Sequence, residues 1–189
     1  MLEHKGTREL NTERLTLRRF ILSDAASMYK NYASDERVTK FLSWKPYKCI
    51  EDIEDYLSDL IGQYTNLNIY HWAIEMDDEI IGSISTIAIN DKNCNCEVGY
   101  CLGYDYWNKG ITTEALNTVM SFLFNEVGIH RIMAKHDVEN PSSGKVLQKC
   151  NMIYEGMLRD YYQRHDGTYS DSIVYSKLRK EEYKSMKLS

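Results

Sequence analysis

"YWNKGITTEAL", residues 106–116, runs from aromatic and polar residues through a single glycine into strong helix formers within a few positions. The segment "CEVGYCLG" (96–103) before it reads as a strand, and a helix opens near residue 110, so the stretch is a strand–loop–helix junction. Junctions of this kind bind anions, because the first N–H groups of a helix lack intrahelical acceptors and the helix dipole favours negative charge in front of them. Gly110 permits a conformation and a close approach that a side chain would block, and Lys109 adds positive charge. A phosphate-bearing ligand fits, and so does simple turn chemistry. Neither the G-x-x-x-x-G-K-S/T string of a nucleotide P-loop nor the G-x-G-x-x-G dinucleotide fingerprint is present.

Outward from the junction the chain is a mixed order of strands and helices. Ala115, Leu116, Val119, Phe122, Leu123 and Val127 recur at helical spacing, and Gly128 stands where a C-terminal cap belongs. "HRIMAKHDV" (130–138) follows as a strand; Asn140 then caps a helix with Pro141 at its first position. The chain closes with a hairpin, "YEGMLRDYYQRHDG" (154–167) and "TYSDSIVYSKL" (168–178), turning at Asp166-Gly167. Upstream, "RLTLRRF" (14–20) alternates as a strand, and Ser23 or Asp24 caps a short helix over 23–33. A further strand is expected before the helix at 51–66, whose apolar face is Ile53, Tyr56, Leu57, Leu60, Ile61 and Tyr64. The acids of that helix read as a solvated face in preference to a substrate-attracting surface. "YHWAIEM" (70–76) and "EIIGSISTIAI" (79–89), joined by Asp77-Asp78, form an antiparallel meander with 96–103.

With 189 residues, 43% hydrophobic and 27% charged, the chain has the profile of one globular domain spanning 1–189, with 1–9 a flexible extension. No apolar run approaches a membrane span and the first ten residues lack a signal-peptide core, so a cytoplasmic protein without membrane contact is expected. Five cysteines are an odd number in a chain that needs no staples, which favours reduced thiols. Cys94, Cys96 and Cys101 lack a fourth ligand at a useful spacing, so no metal is expected. A net charge of −5 argues against nucleic acid and for a cationic partner.

The string "CEVGYCLGYDYWNKGITTEAL", followed by "NPSSGKVLQK" and the closing hairpin, resembles the GNAT superfamily of acyl-CoA-dependent N-acetyltransferases, and within it the ribosomal-protein-alanine N-acetyltransferase branch. The resemblance runs from "TERLTLRRF" to "SIVYSKL". It implies an α/β fold with a mostly antiparallel sheet of about seven strands, splayed where two central strands part and flanked by helices. Acetyl-CoA would lie in the gap, its pantetheine arm along the strand ending near Leu102 and its pyrophosphate on Asn108, Lys109, Gly110, Ile111, Thr112 and Thr113. The superfamily loop reads Q/R-x-x-G-x-G/A; here Trp107 holds the first position and Thr112 the last. The tyrosine that protonates the departing thiolate in many relatives aligns with Leu147, which leaves Ser143 as thiolate donor and Asn140 as partner of the pantetheine arm. The usual "GF" after this helix is Asn151-Met152.

The chemistry asks for an amine freed of its proton, held against a thioester carbonyl, with the oxyanion and thiolate stabilised. Glu97 occupies about the place of the superfamily's general-base glutamate, and a strand carboxylate acting through water suffices; it is equally well an ordinary strand residue. His136 is a weaker relay candidate, and His71 and His165 weaker still. Trp44, Tyr161 and Tyr162, with Tyr169, could wall an acceptor pocket, with Asp171 and Tyr175 shaping it. The resulting expectation is direct acetyl transfer from acetyl-CoA to a primary amine, either a ribosomal-type protein N-terminus or a small polyamine or aminoglycoside, by a monomer or homodimer. A non-catalytic acyl-CoA sensor is the other class, suggested by Thr112 and the absent tyrosine.

Overall fold

The computed structural model describes residues 1–164 and 167–181. Its elements are β1 (Leu10–Asn11), β2 (Thr16–Arg18), α1 (Ala25–Met28), α2 (Glu36–Thr39), α3 (Ile50–Gln63), β3 (His71–Met76), β4 (Glu79–Asn90), β5 (Asn95–Leu102), α4 (Ile111–Phe122), β6 (Arg131–Asp137), α5 (Pro141–Lys149), β7 (Ile153–Gln163) and β8 (Tyr169–Leu178). The fold is mixed α/β with eight strands among the described residues, against about seven expected, and the unanticipated two-residue β1 pairs with β2 through Leu10↔Leu17. Two compact units divide the chain: residues 5–85 with 100–115, and residues 1–4 and 86–99 with the chain from 116 onward.

In the first unit the strands neighbour in the order β1-β2-β3-β4-β5, antiparallel from β1 to β4. Asp77 and Asp78 join β3 to β4 with φ of +52° and +61°, the left-handed pair that lets a two-residue turn follow the strands' twist. Asp24 stands at the N-cap position of α1, as expected, but its side chain makes no capping bond to that helix. Its carboxylate accepts the Ile21 N–H at 2.9 Å and is gripped by two Arg18 nitrogens at 2.9 Å each. No strand lies between α1 and α3 among the described residues; instead Asp35 accepts the Arg37 N–H at 2.8 Å and starts α2. α3 buries Ile53, Leu57 and Leu60, followed by Tyr64, onto Phe20, Met28, Tyr32 and Ala73, while Ile61 is exposed along with the helix's acids. Gly82 is required on β4: a Cβ there would lie 2.4 Å from the Cys101 carbonyl oxygen.

In the second unit the order is β4-β5-β6-β8-β7. β6 pairs antiparallel with β8 from Arg131↔Leu178 to Asp137↔Ser172, whereas its parallel register with β5 runs only from Asn95↔Arg131 to Glu97↔Met133. The helix from α4 continues through a π turn at Leu123–Val127 and stops at Gly128, whose φ of +89° supplies the left-handed C-cap. α5 begins as expected, with Pro141 in its first turn and the Asn140 side chain accepting the Ser143 N–H at 3.2 Å. After it, Asn151 takes φ +57°, a conformation asparagine tolerates, which explains why the customary glycine is dispensable. β7 and β8 form the closing hairpin. Its expected turn at Asp166-Gly167 lies partly outside the described residues, as does His165.

Residues 1–9, expected as a flexible extension, are tied down. Glu3 donates its N–H to Val127 at 2.9 Å in the second unit; in the first, Gly6 donates to Leu67 at 2.8 Å and Thr7 is buried.

Asp137, at the end of β6, is the buried polar anchor of the second unit. Its carboxylate binds Arg164 through two nitrogens at 3.0 to 3.1 Å, accepts Ser170 Oγ at 2.7 Å and accepts the Glu139 N–H at 2.8 Å. Burial alone would raise its pKa, but these donors outweigh that and hold it below the ordinary carboxylate value. Its stabilisation is therefore complete above the unfolded pKa and is lost as pH falls through the lower folded value. Asp137→Ala should cost about 3 kcal/mol, because Arg164 and Ser170 lose their acceptor together. Urea denaturation at pH 7 against pH 3 tests this: the gap between wild type and variant should shrink at the lower pH.

Candidate active site

In the first unit the junction after β5 is closed by its own aromatic. Trp107 Nε1 donates to the Leu102 carbonyl at 2.7 Å, and its ring lies 4.9 Å from that of Tyr104. Asn108 and Gly110 then take φ of +60° and +77°, so two left-handed residues flank the exposed Lys109 at the mouth of α4. A Cβ on Gly110 would meet nothing nearer than Arg14 Nη2 at 3.7 Å; the glycine is needed for its backbone angle and not for room inside the protein. Ile111 and Thr112 are buried and root the helix start, so the threonine that stands for a family Gly or Ala is absorbed by the interior.

Arg14 braces this loop. Its Nη1 donates to the Lys109 carbonyl at 3.0 Å while Nε and Nη2 reach Glu114 at 2.8 and 2.6 Å, and Thr12 Oγ1 donates to the same carboxylate at 2.6 Å. Burial pushes the Glu114 pKa up, but these bonds bring it below its ordinary value; the acid in the first turn of α4 is thus neutralised by a guanidinium and leaves the helix mouth receptive to an anion. Sequence reasoning missed Arg14, since no local signal links residues a hundred positions apart.

In the second unit Glu97 stands at the last β5–β6 pair. Its carboxylate lies 2.9 Å from Lys135 Nζ, with both side chains less than a fifth exposed. Lys135 also donates to the Tyr161 hydroxyl at 2.7 Å and lies 4.3 Å over that ring. Burial lowers the Lys135 pKa, yet the Tyr161 and Glu97 contacts leave it raised overall, so the ammonium stays charged beside Glu97. The structure thus brings together Glu97 and Tyr161, which the sequence named separately, and adds Lys135 between them. The alternation of β6 puts Lys135 on the same face as Met133, the residue opposite Glu97, a signal open to any reader who had the register.

Asn140 and Ser143 meet at the start of α5, both half-buried. Leu147 is fully buried, so that position is part of the core. His136 is buried beneath the same helix: a Cβ on Gly144 would lie 2.7 Å from its Nε2, its Nδ1 is 2.8 Å from the Asp137 carbonyl, and Tyr175 packs 5.9 Å away. It packs where the sequence had offered a relay. Tyr175 accepts from Gln148 at 2.9 Å, and Asp171 accepts the Asp160 N–H at 2.9 Å, so both brace the second unit. Tyr162 is half-buried and Tyr169 exposed on the hairpin. Trp44, in the first unit, packs against Tyr47 at 5.6 Å. Among the described residues no group of three His, Cys, Asp or Glu could hold a metal, and no helix is long and apolar enough to cross a membrane.

Comparison with known proteins gives consistent matches. Residues 14–153 match the acetyltransferase (GNAT) domain family. The chain is 34% identical over 177 residues to the uncharacterized N-acetyltransferase p20 of Bacillus licheniformis, covering 91% of this chain and 97% of that protein. It is 27% identical over 176 residues to the ribosomal protein uS5-alanine N-acetyltransferase of Escherichia coli, covering 87% and 88%. The solved structure of a ribosomal L7/L12 alpha-N-protein acetyltransferase in complex with coenzyme A has the same fold, with a TM-score of 0.82 over 90% of this chain and 98% of that one at 21% identity.

Proposed function

Because the chain belongs to the GNAT family and is an N-acetyltransferase, we propose that it passes the acetyl group of acetyl-CoA directly to a primary amine, with a ribosomal-type protein N-terminus as the acceptor. The observation that carries the cofactor half of this reading is the left-handed pair Asn108 and Gly110 at the mouth of α4, with Lys109 exposed between them. Such a backbone turns successive N–H groups toward one point and suits a pyrophosphate. Asn108, Lys109, Gly110, Ile111, Thr112 and Thr113 form this cradle, and Leu102, at the end of β5, lies along the pantetheine arm. Acetyl-CoA supplies an activated acyl carbon; the residues of this chain supply position and proton traffic.

The amine nitrogen attacks the thioester carbonyl, the carbon–sulfur bond breaks, and the sulfur leaves as a thiolate that must gain a proton. Glu97 accepts the amine proton through water, its carboxylate oriented by Lys135. Asn140 bonds the pantetheine arm, and Ser143 donates to the thiolate in place of the tyrosine that Leu147 excludes. Trp44, Tyr161 and Tyr162 contact the acceptor. A thiol-release assay over free-N-terminus peptides, spermidine and kanamycin tests the reading and ranks the acceptors. Acetyl-CoA binding with no acceptor-dependent release would instead fit the sensor class.

Ser143→Ala separates the roles at α5. It should lower kcat by on the order of ten- to a thousandfold with much less change in acetyl-CoA affinity, because the bond matters as the thiolate develops. Steady-state kinetics with calorimetry checks this; parallel losses in both would make Ser143 a binding residue.

A further inference from the structure

In the core against which Trp44, Tyr47 and Tyr56 pack, one buried hydroxyl lacks the partner that such a group normally has. Tyr32 is 1% exposed and its hydroxyl has no hydrogen-bond partner among the described residues. Its pKa is pushed far up by burial, and further by Cys101, Tyr56, Asp24 and Tyr47. Tyr47 and Tyr56 are half-buried, and among the described residues no protein group bonds their hydroxyls, the Trp44 indole nitrogen or the ring nitrogens of His71. Cys101 Sγ, beside Leu102 on β5, lies 3.3 Å from Ser83 Oγ. Leaving a buried hydroxyl such as that of Tyr32 without a partner costs about 1–3 kcal/mol, a cost the half-buried tips of Tyr47, Tyr56, Trp44 and His71 do not carry.

The rings form a wall. Trp44 to Tyr47, Tyr47 to Tyr56, Tyr56 to His71 and His71 to Phe20 are 5.6, 6.4, 6.5 and 5.4 Å between centroids. These are contact distances, too short to admit a cation between neighbouring rings, and Trp44, Tyr47, Tyr56 and His71 are partly exposed while Phe20 is buried, so a ligand would meet ring faces and edges. Burial pushes His71 down to about 4, and the phenols of Tyr47 and Tyr56 are raised, so the polar tips are neutral near pH 7. Asp52 contributes to the rise at Tyr47, after burial, and its charge disfavours an anionic ligand.

We propose that this wall binds a neutral aromatic group on the acceptor, so that the preferred amines carry an aromatic side group, as an N-terminal aromatic residue or an arylalkylamine does. That the ligand is an acetyl acceptor rests on the acetyl-transfer reading; the wall itself does not. The ring of the ligand packs on Trp44 and Tyr56, and its polar substituents meet the unpartnered tips of Tyr47, Tyr56 and His71.

Phenylalaninamide and alaninamide isolate the ring, because they share the amine and the amide. Calorimetric binding to the full chain should favour phenylalaninamide at least tenfold, with kcat/KM following the same order and spermidine below both. Trp44→Ala should remove that preference, and Tyr56→Phe, which keeps the ring, should preserve most of it; acetyl-CoA affinity, measured alongside, should shift less than twofold in either. Equal binding of the two amides, or tighter binding of spermidine, overturns the proposal. Selective binding of phenylalaninamide without its acetylation would uphold the wall and overturn the acetyl-transfer reading of its ligand.

Discussion

Gly110→Glu should lower acetyl-CoA affinity a hundredfold or more, about 3 kcal/mol. Two effects add. The backbone at Gly110 has φ +77°, which side-chain-bearing residues adopt at a cost of roughly 1 kcal/mol, and the new carboxylate would stand at the helix mouth, where the dipole and Lys109 favour an anionic ligand. Gly110→Ala divides the two, since it carries the backbone strain without the charge and should lose about tenfold or less. Calorimetry on both folded variants reads the difference. An unchanged Kd in Gly110→Glu would put the pyrophosphate elsewhere.

Glu97→Gln should cut turnover at pH 7 by on the order of a hundredfold while acetyl-CoA affinity holds. Glutamine keeps the shape and removes the basicity, and an alkyl or α-amino group is largely protonated at neutral pH, so the reaction then waits on the small fraction of free amine. The sign of the pH effect follows: as pH rises toward 9 more acceptor loses its proton in solution, and the variant recovers part of its rate. Lys135 makes the experiment sharper. In Glu97→Gln its ammonium loses the carboxylate 2.9 Å away but keeps Tyr161, so any loss from misplaced packing would persist at every pH, whereas a lost base is repaired by alkali. A variant with wild-type kcat from pH 6 to 9 would reduce Glu97 to a strand residue paired with a lysine.

Local chemistry was legible in the sequence wherever one residue type answers one backbone need. Gly128, Asn140 with Pro141, and Asp77-Asp78 announced a helix end, a helix start and a turn, and each stands where it was read. The apolar stripe of α3 was nearly right, failing at Ile61, which lies at the edge of the buried arc. β1 was missed because two residues carry no periodicity; their strand character comes from pairing with β2 alone. The strand expected before α3 failed because Asp35 capping Arg37 outweighs extended propensity there. Around the candidate site, the glycine loop could be read from its order along the chain, but its brace could not. Arg14 reaches Lys109 and Glu114 across a hundred residues, Lys135 reaches Glu97 through strand register, and Asp137 reaches Arg164 across a hairpin. Such pairs are set by topology, which a local pattern does not encode.

The central claim, direct acetyl transfer to an amine, is tested most directly by incubating the protein with acetyl-CoA and a free-N-terminus peptide, and quantifying released thiol and acetylated peptide together. Equal amounts of the two, with no acetyl group retained on the protein at any time, is the result predicted for direct transfer. Thiol release that ignores the peptide, or an acetylated protein that forms first and decays as product appears, would contradict it.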